Sequence, residues 1–291
     1  MNEKNYPKAT IANFVTDLSQ YVTAGGDTVH VPDAFTNTFT VKTQSSEGTQ
    51  VDTSTAALVD VTITVNTHKY VAFLIGDKSM EQMSTIYDLN RVYAREVQGL
   101  LTDALEDDLF ALYSSLTSTA VGDTASGLSD ATIRRAIATL TSADFDKNEL
   151  AFFFHENAYW LQLHGISKYY TDDTANLSLH IDGNFGSVAD ASRGLKGQLF
   201  GIPIYTSTRV VNALQGYQNM LLHPRAFGFA ILNDGSVDTE VGASPVRIRI
   251  QSQYELDYLA TLVVGDIMYG TGVLRADAGV VIRSDNSFVV S

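Results

Sequence analysis

The stretch KGQLFGIPIYTSTRV, residues 196–210, places a glycine and a proline directly before a run of β-favouring residues. Gly201 can adopt a positive φ without steric cost. Pro203 fixes its own φ and pushes Ile202 into an extended conformation. The pattern therefore predicts a sharp turn at Gly201 that leads into the short strand IPIYTST, residues 202–208.

The composition is that of an ordinary globular protein. The chain has 291 residues, of which 45% are hydrophobic and 10% aromatic, enough for a large core in one or two domains. We expect neither a membrane-spanning helix nor a standard export signal, because no apolar run approaches 18 residues and the first residues lack an apolar segment. The chain has no cysteine, which excludes disulfides, cysteine nucleophiles and thiolate metal sites.

The charge balance argues against a surface that binds nucleic acid. There are 33 acidic and 19 basic residues, and the net charge is −14. Binding through phosphate neutralisation normally needs clustered lysine and arginine, and no basic run is present. We expect a protein that can lie beside DNA or RNA without adhering to it.

The first part of the chain has the pattern of an arm followed by a β-ribbon. Residues 1–26 are polar, with a short helix predicted over 11–22. The period then changes to two, which predicts strands in TVHV, FTVKT, VDVTITVN and KYVAFLI, within residues 28–75. Residues 44–55, between the second and the third of these strands, are polar and form the predicted tip of the ribbon. A two-stranded ribbon is marginal alone and usually needs a partner to lie on.

A very long helix is predicted over residues 79–116. Ser79 and Gln82 match a capping box. Its length would be roughly 57 Å at 1.5 Å per residue, several times the usual length, so the helix would act as a strut. The predicted apolar stripe contains Met83, Ile86, Tyr93, Val97, Leu101, Leu105, Leu109, Leu112 and Leu116.

The second half of the chain has a mixed α/β pattern. We predict a helix that begins at Ser129, a buried strand in ELAFFFH (residues 149–155) and a helix in ENAYWLQLHG that ends at Gly165. A polar loop follows over residues 166–194. A strand then meets a turn at Pro224, and residues 245–282 are rich in β-favouring residues.

No motif points to catalysis, a metal or a cofactor. His155 and Glu156 begin like a zinc-protease helix, but the second histidine of that motif is replaced by Tyr159, so we interpret them as a strand end and a helix start. Phosphate-loop, nucleophile-elbow and dinucleotide motifs are missing. The remaining histidines lie in separate predicted elements without ligand spacing: His30, His68, His164, His180 and His223.

Two acidic groups could in principle serve as glycosidase carboxylates. The first contains Glu106, Asp107 and Asp108, and we expect it on an exposed face of the long helix. The second, Asp172 and Asp173, falls in the predicted polar loop. Both groups are interpreted as solvated surface.

Four stretches in the same order carry a family resemblance. They are HKYVAFLIGDKS (68–79), GQLFGIPIYTSTRV (197–210), NMLLHPRAFGFAI (219–231) and YGTGVLRADAGVVI (269–282). Together with the order of arm, ribbon, long helix, mixed region and β-rich return, they resemble the major capsid proteins of tailed bacteriophages with the HK97 fold. The resemblance extends over nearly the whole chain from about residue 25.

The resemblance implies an α+β fold with named parts. Gly201 and Pro203 would set a strand of the axial-domain sheet, where five or six subunits meet, a geometric and not a catalytic role. The implied parts are an N-terminal arm (1–26), an extended β-ribbon or E-loop (27–76), a peripheral domain with the spine helix (77–120 and 236–262) and an axial domain (121–235 and 263–291).

The implied function is structural. The chain would assemble into pentamers and hexamers of an icosahedral head that encloses double-stranded DNA, without catalysis, cofactor, metal or membrane. It would form in the host cytoplasm, remain in the virion, and work with separate scaffolding, portal and head-completion proteins. Ring closure is expected around residues 169–193. Subunit contacts are expected at the ribbon tip, at Gln44, Ser45, Glu47, Gln50 and Asp52.

Two features of some relatives are not expected here. A cleaved N-terminal scaffolding segment is not predicted, since the chain begins close to its folded part. Lysine–asparagine crosslinking is not predicted either, because the only lysines of the ribbon, Lys42 and Lys69, lie outside its central tip.

Three alternatives remain open from the sequence. An encapsulin-like compartment would share the fold and enclose a cargo enzyme. An acidic hydrolase would use paired carboxylates facing a cleft. A β-rich tail or decoration protein would leave the long helix unexplained.

Overall fold

The computed structural model describes residues 9–22, 27–33, 41–43, 50, 53, 59–78, 89–166, 195–213, 216–232 and 246–286. Two helices and fourteen strands lie in this part of the chain. In order they are β1 (Thr16–Asp17), β2 (Thr28–Asp33), β3 (Val59–Thr64), β4 (Thr67–Gly76), α1 (Leu89–Ala111), β5 (Val121–Gly122), α2 (Asp130–Thr141), β6 (Ala151–His155), β7 (Leu195–Leu199), β8 (Ile202–Ser207), β9 (Asn212–Ala213), β10 (Gly216–Leu222), β11 (Phe227–Ile231), β12 (Arg249–Glu255), β13 (Ala260–Val273) and β14 (Gly279–Asp285). Short 3-10 helices add Ser19–Tyr21, Leu112–Ser115 and Lys147–Glu149, and Ala158–Leu163 form a π-helix.

The strands form two large sheets. In the five-stranded β13 sheet, β4 pairs along one side of β13, while β12 and β11 pair with successive parts of its other side and β1 joins β11 in parallel. The seven-stranded β10 sheet has the order β5-β14-β10-β6-β8-β7, with β9 on β10. The fold is therefore α+β, as predicted.

Helix α1 packs against both sheets. Its stripe residues Val97, Leu101, Leu105 and Leu109 are buried, as predicted. Val97 lies directly over Gly265 of β13. The ring of Phe110 lies 6.3 Å from that of Phe153 in β6, between centroids. The sequence predicts that this helix begins at residue 79, but residues 79–88 lie outside the described residues. At its other end, α1 is followed by the 3-10 turn Leu112–Ser115.

Several local predictions are confirmed. Ser129 caps α2 in a capping box with Thr132, because each side chain bonds the other residue's backbone N–H. Residues 152–154 of β6 are fully buried. The predicted turn at Gly201 joins β7 to β8, with φ of 57° at Phe200 and 80° at Gly201.

Three local predictions are wrong. No helix occupies residues 11–22, because Thr16 and Asp17 pair with β11 and a 3-10 turn follows. Residues 41–43 do not form a strand, and Val41 is fully exposed, so no burial stabilises one. β2 does not stop before Pro32 but continues to Asp33, since an edge strand tolerates the missing N–H.

The ribbon strands separate from the strand that follows them. β2 and β3 pair over six residues, from Thr28↔Thr64 to Asp33↔Val59. After Val65 and Asn66 the chain enters β4, which pairs with β13. β3 and β4 are therefore consecutive in the sequence but belong to different sheets.

Candidate assembly surfaces

Most of the predicted contact residues cannot be placed. Gln50 is exposed and outside regular structure. Gln44, Ser45, Glu47 and Asp52 lie outside the described residues, as do the predicted ring-closure segment 169–193 and the second acidic group, Asp172 and Asp173. Gly201 and Pro203 lie in the β7–β8 turn and in β8 of the β10 sheet.

The base of the ribbon sits tightly on the β13 sheet. A small core holds it there, formed by Leu18, Val29, Ile63, Val65 and Ala230. The carbonyl of Thr64 approaches Gly270 so closely that a Cβ at that position would overlap it. At Gly272 a Cβ would lie 3.1 Å from Cγ1 of Ile63. Glycines in β13 thus allow the ribbon backbone to contact the sheet.

One face of the β13 sheet is uncovered in the described part of the chain. The inner face lies under α1, where the rings of Phe73 and Tyr93 are 5.1 Å apart between centroids. On the outer face Tyr70 is 68% and Leu74 49% exposed. The strand register places these two beside Asp266 and Leu262. We call the outer-face residues Tyr70, Ala72, Leu74, Leu262 and Val264 the open face.

The turn between β12 and β13 carries further exposed apolar side chains. Leu256, Tyr258 and Leu259 are 77%, 70% and 64% exposed, and we call these three the hairpin tip. The backbone N–H of Asp77 donates to the Leu259 carbonyl over 3.1 Å, so the tip lies beside the end of β4 that carries Leu74. Large exposed apolar patches on a soluble protein mark interaction sites.

A separate exposed tryptophan lies next to the β10 sheet. Trp160 donates its indole N–H to Oε1 of Glu156 over 3.0 Å, and Lys196 lies 3.1 Å from the same oxygen. The His164 ring is 4.8 Å from that of Trp160, between centroids. Burial favours the neutral form of Glu156, but hydrogen bonds from Thr206, Trp160 and Lys196 keep its pKa below the usual value. The exposed indole is therefore held in one orientation.

The first acidic group is solvated only in part. Asp107 is exposed, as predicted, and Asp108 is partly exposed, but the prediction is wrong for Glu106. Together with Asp103 the group forms the acidic turn of α1: Asp103, Glu106, Asp107 and Asp108. Glu106 is only 3% exposed, and its Oε1 accepts the backbone N–H groups of Thr10 (2.7 Å) and Ala12 (3.0 Å). Helical periodicity placed Glu106 opposite the apolar stripe, but the N-terminal segment covers that side.

The other three carboxylates contact distant parts of the chain. Arg209, just after β8, lies 2.5 Å from Asp103 and 3.4 Å from Asp107, between nitrogen and oxygen atoms. Asp108 accepts from Nζ of Lys69 in β4 (2.9 Å) and from the hydroxyl of Tyr269 in β13. The acidic turn thus joins the N-terminal segment and both sheets to one helix.

Burial dominates the ionisation of these groups. It raises the pKa of Glu106 to about 7, even though the backbone N–H groups of Ala12, Thr10 and Ile11 favour the charged form. Burial also raises the pKa values of Asp103 and Asp107, while Arg209 opposes the rise. The pKa of the Tyr269 hydroxyl is raised by burial and by Asp108.

The described residues do not assemble a metal site. They contain no group of three or more histidine, aspartate or glutamate side chains suited to a metal ion. His155 ends β6 and its ring stacks on Tyr217 at 3.9 Å between centroids, so it is the predicted strand end. Within the same residues, no helix is long and apolar enough to cross a membrane.

No protein-family model and no curated protein sequence matches the chain. Solved structures do. A chain of Mycobacterium phage Che8 matches with a TM-score of 0.68 and 20% identity, covering 97% of this chain and 93% of its own. The capsid of cyanophage P-SCSP1u matches with a TM-score of 0.67 and 14% identity, covering 98% and 90%.

A third match has the same extent. The mature capsid of bacteriophage PhiM1 gives a TM-score of 0.67 at 14% identity, covering 99% of this chain and 90% of its own. At identities of 14–20%, these matches show the fold alone. Because they cover 97–99% of the chain, both sheets and α1 take part in them. The chain therefore has the fold of phage capsid proteins, as its sequence predicted.

Proposed function

We propose that this chain is a major capsid protein that assembles into pentamers and hexamers of an icosahedral phage head enclosing double-stranded DNA. The observation that carries the proposal is the match of 98–99% of the chain to chains of two phage capsids. The chain would be located in the virion after assembly in the host cytoplasm. Scaffolding, portal and head-completion proteins would be its partners, and it would have no catalytic role.

The proposal includes a division of the chain into an arm, an E-loop and two domains. Residues 1–26 would be the arm and 27–76 the E-loop, with α1 as the described portion of the spine helix. The peripheral domain would contain 77–120 and 236–262, and the axial domain 121–235 and 263–291. Strand β13 runs through the division at 262–263, so the two domains would share a continuous strand.

The open face and the hairpin tip are the best-described candidates for subunit contacts. Both are apolar and adjoin each other at one end of the β13 sheet. An isolated subunit leaves them in water, whereas a shell of many copies can cover them. The ribbon would extend from its tightly seated base to a neighbouring subunit, and its tip would make the contact.

The charge suits an enclosing shell. A net charge of −14 offers few phosphate contacts, so packaged DNA would be free to slide and leave. Replacing acidic residues of the arm and spine helix by lysine should then impair packaging or ejection. Unchanged infectivity would count against this part of the proposal.

Electron microscopy of the expressed chain tests the function, with and without a candidate scaffold from the same gene cluster. Closed shells, or rings of five and six, are the expected result. A monomer under every condition would contradict the proposal. Nucleic acid inside shells formed in infected cells would indicate a phage head, and a protein cargo would indicate an encapsulin-like compartment.

A further inference from the structure

The acidic turn of α1 connects parts of the chain that are far apart in the sequence. Glu106 lies 96 positions from Thr10, and Asp103 lies 106 positions from Arg209. Asp108 contacts Tyr269, a further 161 positions along the chain. Four carboxylates within two helical turns thus hold the N-terminal segment, the Arg209 loop and the β13 sheet.

We propose that the acidic turn is a latch in which Glu106 reversibly holds the backbone of residues 10–12 on α1, while β1 stays paired with β11. The inference rests on the proposed function, in which residues 1–26 would be the arm of the capsid subunit.

The contact of Glu106 differs in kind from those of its neighbours. Asp103, Asp107 and Asp108 face cationic or hydroxyl groups, Arg209, Lys69 and Tyr269, in ion pairs and hydrogen bonds. Among the described residues, the hydrogen-bond partners of Glu106 are backbone N–H groups of the N-terminal segment. A buried carboxylate without a cation is costly to keep charged. Glu106 is therefore the member of the turn whose contact is most easily changed by a proton.

The charged groups around Glu106 support that assignment. On its own helix, Asp103 repels the ionised Glu106. Arg209 is engaged by Asp103 and Asp107, and Lys69 by Asp108. The N-terminal segment contributes the backbone groups of Thr10, Ile11 and Ala12, which favour the charged carboxylate. Since burial outweighs these hydrogen bonds, the docked state binds a proton more readily than the released state does.

The direction of the pH effect follows from linkage. Docked Glu106 has a pKa of about 7, and the released carboxyl would return to its ordinary value of 4.5. Docking is therefore strongest below pH 4.5 and weakens as the pH rises to 7. Since one pKa unit corresponds to a factor of ten, the docking equilibrium should fall about 70-fold between pH 5 and pH 8.

Hydrogen exchange of the full-length chain tests the latch. Protection of the Thr10 and Ala12 amides is measured at pH 5 and pH 8, with the intrinsic exchange rate corrected at each pH. In the unmodified chain protection should fall about 70-fold, and in Glu106→Gln, which cannot ionise, it should stay constant. Asp144→Asn removes an exposed carboxylate just after α2 and should behave like the unmodified chain.

A fall of less than about fivefold in the unmodified chain overturns the latch, as does an equal pH dependence in Glu106→Gln. If the variant does not fold, the size of the fall in the unmodified chain is sufficient to support or overturn the latch. The assay needs no shell, so its result is separate from that of the assembly experiment. Latch behaviour without shells would reject the proposed function alone, and shells without latch behaviour would reject the latch alone.

Discussion

The acidic turn of α1 and the hairpin tip reverse the usual distribution of residues in a soluble protein. In the acidic turn, Asp103 and Glu106 are buried, although carboxylates are normally exposed. In the hairpin tip, Leu256 and Tyr258 are exposed, although such side chains normally pack inside. The difference indicates a division of work: charged groups help to hold the parts of one subunit together, and in the proposed shell the exposed apolar groups would contact neighbouring subunits.

The largest expected effect on stability comes from Glu106→Ala. It leaves the N–H groups of Thr10 and Ala12 buried without their acceptor, which should lower the free energy of unfolding by about 3 kcal/mol at pH 6. Urea denaturation measures the change, with Glu106→Gln as the matched variant that keeps an acceptor oxygen. If Glu106→Ala lowers the free energy of unfolding no more than Glu106→Gln does, the hydrogen bonds of Glu106 do not stabilise the subunit.

A slightly smaller effect is expected where the ribbon base meets the sheet. Gly270→Ala would place a Cβ against the carbonyl of Thr64, and the backbone shift should cost about 2.5 kcal/mol. Gly76→Ala is the control, because a Cβ at Gly76 meets no atom within 4 Å. Thermal unfolding of both variants measures the difference. Equal melting temperatures would mean that the ribbon base can move away from the added Cβ at no measurable cost in stability.

Tyr269→Phe removes one hydroxyl from the contacts of Asp108 and should cost about 2 kcal/mol, since the hydrogen bond is partly buried and its acceptor is a carboxylate. Tyr258→Phe removes a hydroxyl from the exposed hairpin tip and should change the free energy of unfolding by less than about 0.5 kcal/mol. Denaturant titration of the pair measures the contrast. Similar costs would contradict the division between the two regions.

The smallest effect on subunit stability is expected from Leu256→Ser. The side chain is exposed, so the free energy of unfolding should change by less than about 0.5 kcal/mol, while assembly should fall sharply because the contact with a neighbour is lost. Electron microscopy and sedimentation measure assembly. Thr141→Ser, at the exposed end of α2, serves as the control. Normal shells from Leu256→Ser would exclude the hairpin tip as an essential contact.

The sequence predicted the interior more fully than the surface. The α1 stripe, the Ser129 cap, buried β6 and the Gly201 turn follow from periodicity or from the geometry of one residue. The open face was not predicted, because β4 reads as an ordinary alternating strand and nothing in its pattern says which face a helix covers. The buried Glu106 was missed for a related reason: helical periodicity treats every carboxylate opposite the stripe as solvated.

Thus the sequence by itself determined where most helices and strands lie, which residues enter the core, and the order of elements typical of a phage capsid fold. These features depend on neighbours within a few positions, whose sterics and hydrogen bonds are the same in any protein. Only the tertiary structure decided that β3 and β4 part to different sheets, that β1 pairs with β11, and that Thr10 and Ala12 reach Glu106. Those contacts depend on which distant surfaces meet, and no local pattern encodes that meeting.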